Sequence, residues 1–174
     1  MKKSILMITL CAIVAFSTTS CKEETEKTGY DYLTEAKNGW KLTSATSDPA
    51  YDLEIGAPVT NLLQGFVKSC ELDDILYFNT SKALMLNPGK DKKTVVDLGE
   101  DNWDCGDATE RSLGNWNLST DEKSFTSFYL PYFDEKLTNI TIIELSEKTL
   151  VVSVPFYDEV VEKSYTFTLT YTKQ

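Results

Sequence analysis

Histidine is absent from the chain. With it go the commonest general base, the commonest transition-metal ligand and the side chain that changes charge near neutral pH. Serine and cysteine nucleophiles therefore lack their usual partner, and the sequence has no CxxC pair, Gly-rich phosphate loop or His cluster. Basic patches are missing too. Against 17 Lys and Arg stand 27 Asp and Glu, a formal charge of −10 that repels phosphate backbones, so nucleic acid is not an expected partner. No apolar run reaches the roughly 20 residues of a membrane span, and no segment repeats. The expectation is a non-enzyme without a cofactor. Neighbouring Asp73 and Asp74 do not alter it, because adjacent strand residues face opposite ways and cannot share a substrate proton.

What is present begins with a three-zone leader: Lys2 and Lys3, an apolar stretch from Ile5 to Phe16, then Ser17, Thr18, Thr19 and Ser20 before Cys21. This is the pattern of a secretory signal ending at a lipid-acceptor cysteine, so residues 1–20 are expected to be removed and Cys21 acylated. Removal takes away two lysines and no acid, leaving −12. Residues 21–37 are expected to be a flexible tether, rich in charge at Lys22, Glu23, Glu24, Glu26 and Lys27. Cys70 and Cys105 then remain, either bonded to each other in an oxidising compartment or as two reduced buried thiols.

Residues 38–174 are the size of one domain, and 41% hydrophobic with 11% aromatic residues is enough for a packed core. Gly39-Trp40-Lys41-Leu42 opens an alternating strand, and helical spacing from Val59 to Val67 predicts a short helix or helical cap. Ile75–Phe78 and Ala83–Leu86 flank a turn at 79–82. Asn115–Leu118 and Phe125–Leu130 flank another at 119–123, and Leu137–Leu145 and Thr149–Val154 join at 146–148. The strongest signal closes the chain: Tyr165, Phe167, Leu169 and Tyr171 alternate with four threonines, which requires one buried and one wet face. Eight or nine antiparallel strands with little helix predict a sandwich or barrel.

Gly39-Trp40, the run Cys70-Glu71-Leu72-Asp73-Asp74 leading to Phe78, Cys105, and Gly114-Asn115-Trp116 stand in an order that resembles the lipocalin-like lipoprotein domains of Bacteroidetes. The resemblance spans about Trp40 to Tyr171. It implies an all-β, antiparallel up-and-down barrel of about eight strands and a Cys70–Cys105 disulfide, which would stabilise the fold by about 3–4 kcal/mol. Lys22-Glu23-Glu24 resembles the surface-export signal of the same lipoproteins, so the outer membrane, exposed at the cell surface, is the expected location. The region from Asp91 to Glu110 departs from the family pattern in carrying an acidic loop. Its acids at 100–107 offer oxygen ligands for calcium, but their spacing is not that of the twelve-residue calcium loop, and a solvated loop is expected.

Aromatic side chains at apparent strand ends supply candidate ligand contacts: Tyr129, Tyr132, Phe133, Phe156 and Tyr157. Barrel mouths of this kind take small apolar molecules, and the same rings stack on sugar faces. Trp40, Trp116, Tyr165 and Phe167 are expected in the core. The function expected is a membrane-anchored, extracytoplasmic binding module holding a small hydrophobic or amphipathic ligand. Its rivals are a filled barrel that binds a protein or glycan through its rim, and a hydrolase of unknown type.

Overall fold

A helix cap stands near the start of the described residues. Thr28 Oγ1 accepts from the Asp31 N–H, and the Asp31 carboxylate accepts from the Thr28 N–H at 2.9 Å, a reciprocal capping box. The helix it starts, α1 (Gly29–Thr34), is too short to be stable alone and is held by burying Leu33. The computed structural model describes residues 26–52, 57–64, 67, 71–89, 110–130, 135–137 and 140–174. Within them follow β1 (Trp40–Tyr51), β2 (Val59–Asn61), β3 (Ile75–Phe78), β4 (Ala83–Asn87), β5 (Arg111–Asn115), β6 (Asn117–Leu118), β7 (Ser124–Leu130), β8 (Glu135–Leu137), β9 (Ile140–Leu145), β10 (Thr149–Asp158) and β11 (Lys163–Lys173).

These segments make an antiparallel up-and-down barrel of eight positions. The hydrogen-bonded order is β5-β4-β3-β1-β11-β10-β9-β7-β6. β5 and β6, at its two ends, are one strand broken at Trp116, whose backbone N–H donates to Lys82 O. Joining them nearly closes the cylinder. β7 pairs with β8 and β9 in one continuous register, Phe128 opposite Leu137 and Phe125 opposite Ile140, so those two also count as one. β2 branches off β1. The first and last strands pair over most of their length, from Trp40 opposite Lys173 to Asp48 opposite Thr166, so neither is left as an open edge.

One end of the cylinder is sealed. Turns 79–82, 119–123 and 146–148 all lie at this end, and α1 is tied to two of them: Tyr30 Oη donates to Thr80 O at 2.9 Å, and the Gly29 N–H donates to Glu122 Oε2 at 2.7 Å. Trp40 Nε1 donates to Leu33 O at 3.2 Å, fixing the helix over the barrel floor. Gly39, with φ +75°, makes the sharp entry into β1, and a side chain there would strike Ile75 and the Leu76 carbonyl.

Inside, the alternation read from the sequence holds: Tyr165, Phe167, Leu169 and Tyr171 of β11 are all buried, facing Leu150, Val152 and Val154 of β10. Phe78, Phe125 and Phe128 stack with centroids 4.8–5.8 Å apart, and Phe78 meets Trp116 edge-on at 5.3 Å. Trp40, Trp116, Phe125, Phe128 and Phe167 have no exposed surface. A water-sized void against any of them would expose it, so none adjoins these five rings in the lower and central barrel.

One expectation is corrected here and one is narrowed. The tether predicted to run to residue 37 ends earlier, because the capping box and the burial of Leu33 and Ala36 fold the chain onto the barrel from Thr28. The helical segment expected within Val59–Val67 is present as a single 3-10 turn at Leu62–Gln64, and the residues before it form a short strand, β2. Pairing of Val59 with Tyr51 and of Asn61 with Thr46 outweighs the local helical spacing, and Leu62 still reaches the core.

Candidate functional site

The opposite end of the barrel carries a cluster of four aromatic rings. β1 leaves through Tyr51, and the β10–β11 hairpin brings Phe156, Tyr165 and Phe167 beside it. Tyr51 meets Tyr165 edge-on at 4.8 Å, Phe167 at 5.7 Å and Phe156 at 6.0 Å, while Phe156 stacks on Phe167 at 5.1 Å. The burial is graded. Phe167 and Tyr165 are buried, whereas Tyr51 and Phe156 are half-buried and form the outer layer. An apolar floor beneath partly exposed rings is the construction of a site for small apolar molecules or sugar faces.

Polar groups frame the cluster. Tyr51 Oη donates to Asp158 Oδ2 at 2.9 Å, and Asp158 Oδ1 accepts from the Val160 and Val161 N–H groups, so one carboxylate braces both the ring and the hairpin turn. The Tyr51 bond holds the Asp158 carboxyl below its ordinary value, with the two turn N–H groups helping. Lys163 Nζ sits 5.2 Å from the centre of the Tyr165 ring, a cation–π contact. The Tyr165 hydroxyl itself is buried, with no hydrogen-bond partner among the described residues.

Of the predicted ligand residues, Phe156 belongs to this cluster, and Tyr157 faces out at 56% exposure. The two alternate across β10, so they cannot contact one small ligand together. Tyr129 lies on β7 opposite Lys136. Tyr132, Phe133, Cys21, Cys70, Cys105 and the acidic loop 100–107 lie outside the described residues, as do residues 1–25. Tyr51 was missed because nothing in its local sequence distinguishes it. Tyr165 is buried in the core as expected, at the outer end of its alternating strand.

The chain is similar to an odorant-binding protein. That solved structure is the bovine protein in complex with undecanal; 13% of residues are identical, 88% of this chain and 77% of that chain are covered, and the TM-score is 0.42. No family model and no curated protein matches the chain.

A second polar position lies on the barrel wall. Asp74 continues the buried face of Leu76 and Phe78 and is only 6% exposed; its Oδ1 accepts from the Gly89 N–H at 3.2 Å, linking the start of β3 to the end of β4. Burial pushes its carboxyl up to about 6, opposed by the Gly89 N–H and Arg111 and helped by the charges of Glu71 and Asp73. Deeper still, Trp116 Nε1 and Tyr171 Oη have no partner among the described residues, and burial pushes the Tyr171 phenol above its ordinary value. Among the described residues no three His, Cys, Asp or Glu are grouped to hold a metal ion.

Proposed function

We propose that this chain is a lipid-anchored, extracytoplasmic binding module, acylated at Cys21 and displayed on the outer membrane, that takes a small apolar or amphipathic molecule at the open end of its barrel. The observation that carries the ligand seat is the graded cluster of Tyr51, Phe156, Tyr165 and Phe167, with two rings half-buried over two that are buried. The seat is shallow, because no water-sized space adjoins the buried aromatic rings below it. The anchor rests on the leader and on Lys22-Glu23-Glu24 after the cysteine, and a Cys70–Cys105 bond belongs to the same oxidising address.

A neutral fluorophore tests the seat without fighting the acidic surface. N-phenylnaphthylamine should brighten on binding and lose affinity when Phe156→Ala removes half the outer layer, with the fold retained by circular dichroism. Binding that Phe156→Ala leaves unchanged would move the seat elsewhere. Radiolabelled palmitate should enter the wild-type chain and be lost in Cys21→Ala.

The packing of the buried rings favours a second reading, in which the rim grips a protein or a glycan and no small molecule is held. Native mass spectrometry of protein taken from its source cells separates them, since only the first gives a co-purified small mass.

A further inference from the structure

The Tyr165 hydroxyl is the one polar atom of the ring cluster that is buried and unpaired among the described residues. Its ring is 2% exposed, covered by Tyr51 at 4.8 Å and flanked by Phe167 at 6.3 Å. A buried hydroxyl without a partner costs about 1–3 kcal/mol, and native proteins rarely carry that cost without a use. The other polar groups at this end are engaged: the Tyr51 hydroxyl donates to Asp158, and Asp158 holds the turn.

We propose that Tyr165 Oη is the polar anchor of the seat: when a ligand displaces the half-buried Tyr51 ring that covers it, the hydroxyl donates a hydrogen bond to a neutral oxygen on an otherwise apolar molecule, such as a ketone, ester or alcohol. This deepens the proposed function and rests on the open end being the ligand seat. Charge selects the neutral form. An anionic head would enter beside the Asp158 carboxylate of an acidic chain, and the Lys163 ammonium is already placed over the Tyr165 ring. A cationic head would enter beside the Lys163 ammonium that lies over the same ring.

Two neutral naphthalene fluorophores of similar size test the assignment. Prodan carries a ketone whose emission moves to longer wavelength when its oxygen accepts a hydrogen bond; N-phenylnaphthylamine carries no oxygen. In Tyr165→Phe, Prodan should bind about fivefold more weakly and emit at shorter wavelength than in the wild type. N-phenylnaphthylamine should bind both proteins alike. If Prodan keeps its affinity and colour in the variant while N-phenylnaphthylamine still binds, the hydroxyl is not the anchor, although the seat stands. Equal weakening of both fluorophores would make Tyr165 a packing residue and overturn the assignment. If neither binds the wild type, the seat itself fails and the anchor with it.

Discussion

Tyr51 and Asp158 stand 107 positions apart, yet one hydrogen bond of 2.9 Å joins the end of the first strand to the last hairpin. Tyr51→Phe should therefore let the Asp158 carboxyl titrate nearer its ordinary value, since the Tyr51 hydroxyl is the largest cause of its low one. The low folded value means that the bond adds stability above the unfolded carboxylate range and loses it as pH falls through the folded value. Carboxyl carbon shifts followed against pH would read the change. Identical titration curves for the two proteins would mean that the pair does not form in solution.

Asp74 works in the opposite direction. Its folded value of about 6 lies above the ordinary 3.8, so its contribution is complete below pH 3.8 and is lost as pH rises through 6. Asp74→Asn keeps an acceptor for the Gly89 N–H and removes the buried charge. Discounted for solvent screening, the variant should gain about 1–2 kcal/mol over the wild type above pH 6, a difference that shrinks towards pH 4. Urea unfolding at a series of pH values measures it, and a gain that does not vary with pH would rule out the buried charge as its source.

Tyr171→Phe should leave stability unchanged or raise it by up to about 1 kcal/mol, because the deleted hydroxyl has no partner among the described residues. The wild-type phenol should also stay protonated in alkali after the exposed tyrosines have ionised, visible as a shortfall in tyrosinate absorbance. A clear loss of stability in the variant would show that the hydroxyl is paired.

Gly39→Ala should cost about 2–3 kcal/mol, through both its φ of +75° and the collision of a new Cβ with Ile75 and the Leu76 carbonyl. Thermal unfolding gives the number. A neutral outcome would mean that the entry into β1 adjusts more freely than its packing suggests.

The barrel was legible where side-chain periodicity and turn chemistry agree. β11 alternates over eight residues, and the turns at 79–82, 119–123 and 146–148 separate strands that pair as the sequence predicts. Illegible parts depended on partners distant in sequence. β2 forms because Tyr51 and Thr46 offer it an edge, which local spacing cannot reveal. α1 was hidden inside a charged stretch, although Thr28 and Asp31 are spaced as a capping box and could have marked it. At the candidate site, Phe156 was accessible as an aromatic at a strand end. Tyr51 was not, since its value lies in reaching Tyr165 and Asp158 across the sheet.

Closure of the barrel by its first and last strands has a consequence for handling the protein. The Gln174 N–H donates to Gly39 O at 3.1 Å, so Gln174 touches the doorway through which the segment before β1 arrives. A fluorescent tag or surface linker fused after Gln174 would therefore emerge at the floor of the cup and leave its rim unobstructed. A short peptide joining Gln174 to Gly39, with new ends opened in the 119–123 turn, would give a circular permutant with the same eight staves.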